Sequence, residues 1–371
     1  MEIVQVVGLY PPHLGGQEVV VEQLAAQQSR SHRVTVYTSD LGADGMPAEE
    51  ARQTRAGSLR VVRQRSALIA NVPVIPGLLG RLLRHQPKPD VLHVHTGQAM
   101  LLEVTSLAAR IRGIHHVAHQ HLVLRASTPI GRLLMPAYQR LLYGRSLRRA
   151  RRVICLTAAM REETIRAYGV DPERVAVVPN GVDLARAAAA PGARRPDELL
   201  FIGRLTSQKN VGALVAAAGV LRDRGRPVRL RIVGDGEDRG RLQAQARSLR
   251  LPDVVFEGRM SAAQVSEAYR RATVVVMPST HEGMPLVLLE AMASGTPVVA
   301  SALPEIVEAG GDAVYTVADP RPGALADALA TVLDDPELRQ RLAAAGLARA
   351  AGFGWPAIAD TVDALYREVL A

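Results

Sequence analysis

At 371 residues and 48 % apolar content, the chain is too long for one hydrophobic core and too apolar to stay disordered, which predicts two globular domains of ordinary size. Its net charge of +9 rests on 43 arginines and two lysines, Lys88 and Lys209, so arginine is the default cation and the basic balance points only weakly to nucleic acid. One cysteine, Cys155, excludes intrachain disulfides and cysteine metal clusters; three Phe and one Trp leave few platforms for stacking bases; no apolar run reaches membrane-spanning length, and the cytoplasm is the expected location.

Residues 3–7 read as a first strand. The loop that follows places Gly15 and Gly16 directly before a helix over about 17–28, where backbone N–H groups are free to meet a ligand, although the spacing is not the dinucleotide-binding one. Residues 33–38 form a second strand, 41–60 an irregular excursion, 61–63 a short strand and 73–84 a helix after its prolines. On the strand 91–95, His93 and His95 alternate with apolar residues and share one face. A helix over 102–110 closes at Gly113 and leads into His115, His116, His119 and His121. Residues 153–156 are a strand in which Cys155 packs as a small hydrophobe, Thr157 caps a helix, and 175–178 are the next strand.

Residues 184–196 are Ala, Arg, Pro and Gly without periodicity, a linker or surface loop. Beyond it, strands at 199–202, 228–233, 254–256, 274–277, 297–300 and 313–317 alternate with helices, two helices fill 321–350, and a last one covers 356–370. Two successive βα arrays predict an α/β protein of two parallel-sheet domains facing a cleft. Residues 274–301 organise the second array. A buried strand ends at Pro278, a polar turn runs to Gly283, Pro285 takes the first helical position, and Gly295 with Pro297 ends the helix. This geometry offers free N–H groups to an anion at the C-terminal edge of a parallel sheet. Glu282 and Glu290 flank the helix start, so a ligand touching both is elongated with an anionic middle, as a nucleotide-sugar is. A solvated loop acid and a helix-face acid paired with arginine remain the alternative on these residues alone.

Charge is uneven: residues 1–180 hold 23 Lys and Arg against 13 Asp and Glu, while the remainder is nearly neutral. Between Arg125 and Arg152 lie eight arginines and no acid, interleaved with leucines and tyrosines. Such a segment suits anionic lipid headgroups or an acidic substrate, and equally a solvated helix in an arginine-rich chain.

Several short motifs, in order, resemble those of GT-B fold glycosyltransferases of the retaining family 4. They are Gly203-Arg204-Leu205 with Lys209, Gly234-Asp235-Gly236, Glu282-Gly283-Met284-Pro285, Glu290-Ala291-Met292-Ala293 and Gly295-Thr296-Pro297, with Gly15-Gly16, His93/His95, His119/His121 and Asn180-Gly181-Val182-Asp183 in the first half. The resemblance spans nearly the whole chain. It implies two Rossmann-like domains, 1–183 on the acceptor side and 184–355 on the nucleotide-sugar side, with a terminal helix, 356–371, crossing back to the first. Arg204 and Lys209 then correspond to the cations that clamp the donor diphosphate, Glu290 to the acid on the ribose hydroxyls, and Glu282 to the acid beside the sugar. The N–H groups of Gly283, Met284 and Leu286 correspond to contacts with sugar and phosphates, Gly234 to the donor loop, and Gly15 and Gly16 to the loop nearing the diphosphate. The family places an active-site histidine just after the strand at 116–118. His119 and His121 are both candidates, and the spacing from Gly113 favours His121.

Four histidines in seven residues raise the question of zinc, but they come without acids or cysteines, and no metal or other cofactor is expected. The implied activity is transfer of a hexose or N-acetylhexosamine from a nucleotide-sugar, UDP-linked by preference, to a hydroxyl acceptor. That acceptor is a lipid-linked saccharide, a glycolipid or a small molecule, and the membrane face is a candidate contact; nucleic acid is not. Catalysis falls to His121, Glu282, Arg204 and Lys209, without the paired acids of a glycoside hydrolase. A phosphorylase would need a lysine for a cofactor aldehyde, and neither lysine has that setting. A non-catalytic carbohydrate- or nucleotide-binding protein of the same fold would be expected to lose Lys209 or Glu290.

Overall fold

A computed structural model describes the chain apart from residues 14, 43–52, 70–71, 98–99, 123–128 and 188–193. It divides into two compact units, one of Met1–Asn180 with Trp355–Ala371, the other of Gly181–Gly354.

The first unit holds β1 (Glu2–Val6), β2 (Arg33–Ser39), β3 (Gln53–Ala56), β4 (Leu59–Gln64), β5 (Ala67–Ile69), β6 (Val72–Val74), β7 (Val91–Thr96), β8 (His115–Gln120), β9 (Arg152–Cys155) and β10 (Val175–Val177). Eight of them form one sheet in the order β10-β9-β8-β7-β1-β2-β4-β3, parallel except for β3. Central strands β1 and β7 are buried throughout, as parallel strands covered on both faces must be. Thr157 accepts a hydrogen bond from the Met160 N–H, and Gly113 closes its helix with φ +58. The terminal helix, Trp355–Leu370, buries Trp355, Ile358, Ala359, Val362, Tyr366 and Val369 within this unit and packs on the helix Gly16–Gln28.

Three local expectations need correction. The reading of 73–84 as one helix gives way to β6, paired antiparallel with β5, and a shorter helix, Leu78–Arg84. Pro73 is tolerated in a two-stranded ribbon because it need not donate there. The irregular excursion at 41–60 contains β3, a polar, exposed edge strand that its composition hides. The histidine strand is longer than 116–118: it runs to Gln120, so His119 lies within it and His121 is the first residue after it.

The second unit holds β11 (Glu198–Ile202), β12 (Arg229–Val233), β13 (Val254–Gly258), β14 (Val274–Met277), β15 (Val298–Ser301) and β16 (Val314–Val317). All are parallel, in the order β13-β12-β11-β14-β15-β16. Leu199, Phe201 and Val276 share one face of this sheet and pack there with Leu214, Leu325 and Leu329 of the covering helices. Chain direction across the sheet reverses between β11 and β14, the switch point outside whose carboxyl ends such sheets bind ligands. Pro285 is corrected from the first helical position to the N-cap, with extended ψ 127, and the helix is Leu286–Ala293. Gly295 follows it with φ +61, the left-handed conformation that glycine adopts at little cost.

Candidate active site

The loops leaving β11 and β14 flank the switch point of the second unit, and they are tied together. Thr280 N–H donates to the Gln208 carbonyl (2.9 Å), and the Gln208 side-chain amide donates to the His281 carbonyl (2.7 Å). This stitching brings Lys209 Nζ to 2.5 Å from Glu282 Oε1. Glu282 is buried, and an ammonium partner is what keeps a buried carboxylate tolerable. Arg204 stands exposed on the same loop as Lys209 and has no ion pair among the described residues. Gly283 and Met284 are buried beside Glu282, and the N–H groups of Leu286 and Val287 lie ahead of the first intrahelical bond, from Leu288 N–H to the Pro285 carbonyl.

Glu290 sits one turn further along. Its Oε2 accepts a hydrogen bond of 2.8 Å from the Tyr269 hydroxyl, and burial raises its carboxyl above the ordinary range, opposed by Tyr269 and the charge of Arg186. The arginine pairing considered for Glu290 is thus a tyrosine hydrogen bond. Gly234 and Gly236 have a backbone reason to be glycine. A Cβ on Gly234 would lie 2.0 Å from the Gly203 carbonyl oxygen, and one on Gly236 would lie 2.4 Å from that of Leu205. The loops after β11 and β12 press directly on each other, joined by Leu205 N–H to Asp235 carbonyl and Asp238 N–H to Leu205 carbonyl bonds.

In the first unit, Gly15 and Gly16 open the helix Gly16–Gln28. Nothing lies within 4 Å of a Cβ on Gly16, whereas one on Gly15 would meet Glu18 Oε2 at 2.2 Å. The Glu18 carboxylate, folded back over Gly15, reaches His13 Nδ1 at 3.3 Å.

Four histidines stack on one face of the sheet, His93 and His95 on β7, His119 on β8 and His121 just after it. Ring centroids are 4.3 Å apart for His93 and His95, 4.4 Å for His119 and His121, and 5.2 Å for His95 and His121, with planes tilted by 20–28°. Burial pushes all four below the usual imidazole range, His93 and His121 to about 3, so the stack is neutral. Nitrogen atoms of His93, His95 and His119 lie within 4.8 Å of one another, which invites a metal. The geometry opposes it. Lone pairs lie in the ring planes, so nearly parallel rings aim them side by side rather than at one point, and both His95 nitrogens are already hydrogen-bonded.

Comparison with known proteins decides the family. Residues 14–186 match the model described as Glycosyltransferase Family 4, and residues 189–349 match Glycosyl transferases group 1. A D-inositol 3-phosphate glycosyltransferase of Kineococcus radiotolerans is 33 % identical, covering 96 % of this chain and 91 % of its own. The chain belongs to the group 1 glycosyltransferases. A second protein of that description, from Frankia alni, is 33 % identical over 96 % of this chain and 95 % of its own. Among solved structures, Anabaena HepE in complex with UDP-glucose superposes with a TM-score of 0.80 at 20 % identity, covering 99 % of this chain and all of that one. The lipopolysaccharide glycosyltransferase WaaG gives 0.73 at 20 % identity, over 98 % and 99 %. Both share the GT-B fold.

This glycosyltransferase is therefore an α/β enzyme of the expected class. Of the residues singled out from sequence, the second unit gathers Arg204, Lys209, Glu282, Gly283, Met284, Leu286 and Glu290 around one sheet edge, while Gly234 supports the loop that carries Arg204. Gly15, Gly16 and His121 lie in the first unit. Two residues went unnoticed: Gln208, which holds the two second-unit loops together, and Tyr269, which holds Glu290. Neither has a local signature, because each meets its partner only across separate elements.

Proposed function

We propose that this glycosyltransferase moves a hexose or N-acetylhexosamine from a UDP-sugar to a hydroxyl acceptor, with retention at the anomeric carbon. The Lys209–Glu282 pair carries the reading: a lysine paired with a buried acid beside a helix N-terminus at a switch point supports neutralisation of a leaving diphosphate by the lysine and binding of sugar hydroxyls by the acid. Arg204 adds a second cation, and its exposure leaves it free to swing onto a phosphate. Glu290, set by Tyr269, serves the ribose. His121 accepts a hydrogen bond from a substrate hydroxyl, and Gly15 and Gly16 allow close backbone approach of substrate. The departing phosphate assists in taking the acceptor proton, and no metal or other cofactor takes part. The UDP-glucose complex of HepE supports the nucleotide, and the D-inositol 3-phosphate glycosyltransferases 33 % identical to this chain support a phosphorylated cyclitol as acceptor.

No helix among the described residues is long and apolar enough to cross a membrane. Peripheral contact with anionic lipid is part of the proposal. On the segment 129–149, Leu133, Leu141 and Leu142 are exposed, the first by 80 %, beside exposed Arg140, Arg145, Arg148 and Arg149. Arg125 lies outside the described residues.

The reading is tested by melting the protein with UDP, GDP and ADP, then incubating UDP-sugars with inositol phosphate and reading the anomeric proton coupling of the product. UDP should raise the midpoint most and the product should keep the donor's configuration. Preference for GDP or ADP, or an inverted product, overturns it.

A further inference from the structure

A continuous line of buried hydrogen bonds ends at His121. Its other end is Asp363, on the terminal helix. Asp363 Oδ1 accepts from the Gln28 amide nitrogen (2.5 Å), and Gln28 Oε1 accepts from the Gln5 amide nitrogen (2.7 Å). Gln5 Oε1 then meets His95 Nε2 (3.2 Å), and His95 Nδ1 meets His121 Nε2 (2.9 Å). The second carboxylate oxygen, Asp363 Oδ2, lies 3.0 Å from His32 Nε2, while the N-terminal ammonium lies 3.4 Å from His32 Nδ1.

Asp363 fixes the polarity of this line because an ionised carboxylate only accepts. The Gln28 amide must turn its nitrogen to Asp363, which leaves its carbonyl for Gln5. The Gln5 amide must then turn its nitrogen to Gln28, which leaves its carbonyl for His95. A carbonyl requires a donor, so His95 carries its proton on Nε2. Burial keeps His95 neutral, so its Nδ1 is a lone pair, and His121 must donate to it from Nε2–H. What remains on His121 is Nδ1 without a proton.

We propose that Asp363, Gln28, Gln5 and His95 are positioning residues that lock His121 in the Nε2–H tautomer, so that Nδ1 is presented as an acceptor to a substrate hydroxyl. The inference rests on the reading of His121 as the residue that meets substrate. Without the carboxylate anchor both glutamine amides could reverse, and His121 would then carry its proton on Nδ1 and repel the same hydroxyl hydrogen. The four positions are scattered from residue 5 to residue 363 and meet because β1 lies beside β7 and the terminal helix packs on Gly16–Gln28.

The test is nitrogen NMR of the full-length protein labelled with 15N-histidine, with the His121 signals assigned by their loss in His121→Ala. In the unsubstituted protein His121 should show protonated Nε2 and unprotonated Nδ1. Gln28→Met keeps the side-chain length but cuts the line three links from His121, and should shift His121 toward a tautomer mixture while lowering kcat by about five- to tenfold, as expected for one hydrogen bond, with KM for UDP-glucose or UDP-N-acetylglucosamine little changed. In a His121→Ala background the same substitution should cost nothing further, which a merely structural role would not reproduce. Gln5→Met serves should Gln28→Met fold poorly, and should give the same spectrum. A His121 protonated on Nδ1, or one unmoved in both variants, overturns the lock. If His121→Ala alone leaves turnover intact, the substrate role falls while the spectra still score the tautomer separately.

Discussion

Lys209 and Glu282 stand 73 positions apart in sequence and 2.5 Å apart in space. The two countercharges neutralise each other across the two loops, and under the proposed function a diphosphate drawing on Lys209 would release Glu282 for hydroxyl groups of the sugar. On that reading the pair would hold the two loops together without ligand and separate into two roles with it.

Removing either cation should expose that division. Lys209→Ala and Arg204→Ala are each expected to lower turnover by roughly 10²-fold or more, because each takes a positive charge from the developing leaving group. Arg204→Ala should leave stability within about 0.5 kcal/mol, since the side chain is exposed. Lys209→Ala leaves a buried carboxylate without its partner and should melt measurably lower. Steady-state kinetics within threefold of the parent enzyme for both would remove the clamp.

Tyr269→Phe deletes one hydroxyl and removes the hydrogen bond it donates to Glu290. Nucleotide affinity should fall about five- to tenfold, and the preference for UDP over 2′-deoxy-UDP should shrink, since the loss acts on the ribose. Calorimetry with both nucleotides decides it; an unchanged ratio would mean that Tyr269 does not orient Glu290.

The histidine stack predicts a one-sided pH profile of stability. His93 and His121 have pKa values near 3 when folded, while an unfolded chain binds a proton near 6.5. Between those values the unfolded state holds more protons, so stability rises with pH and is lost as pH falls below about 6.5. Urea midpoints at pH 7.5, 6 and 5 should decline, and His119→Gln should flatten the decline by up to one proton. A profile flat from pH 7.5 to 5 would contradict neutral burial of the stack.

For the arginine-rich helical segment, co-sedimentation with phosphatidylglycerol vesicles is expected at low salt and should weaken as salt screens the charges. Leu133→Ser with Leu141→Ser should weaken it further without altering UDP affinity. Failure to sediment at low salt would favour a wholly soluble acceptor step.

The parallel strands were readable because buried β-branched runs such as 274–277 have few other fates, and Gly295 with Pro297 two residues on announced the helix end. β3 was not readable, since its residues Gln53–Ala56 are polar and owe their conformation to pairing with β4. Pro73 looked like a helix start because local rules dominate where the partner strand is unknown. His121 could be singled out by its place after a strand, but its proton could not. That depends on Gln5, Gln28 and Asp363, which strand order and the terminal helix bring together. Tyr269 illustrates the same limit, since only the packing of its helix beside Glu290 gives its hydroxyl a meaning.

The contact of Gly234 and Gly236 with the backbone of Gly203 and Leu205 bears on how cheaply a donor can be held. Backbone touching backbone leaves those loops little room to wander, so under the proposed function the conformational freedom a bound phosphate would have to quench is already gone in the folded enzyme. Affinity would thereby be preserved for the donor rather than consumed in ordering the loops. It also makes this corner intolerant of drift: a methyl group at position 234 would displace the segment carrying Arg204 without touching any charged residue, and an enzyme could lose its grip on the nucleotide with every recognising side chain still in place.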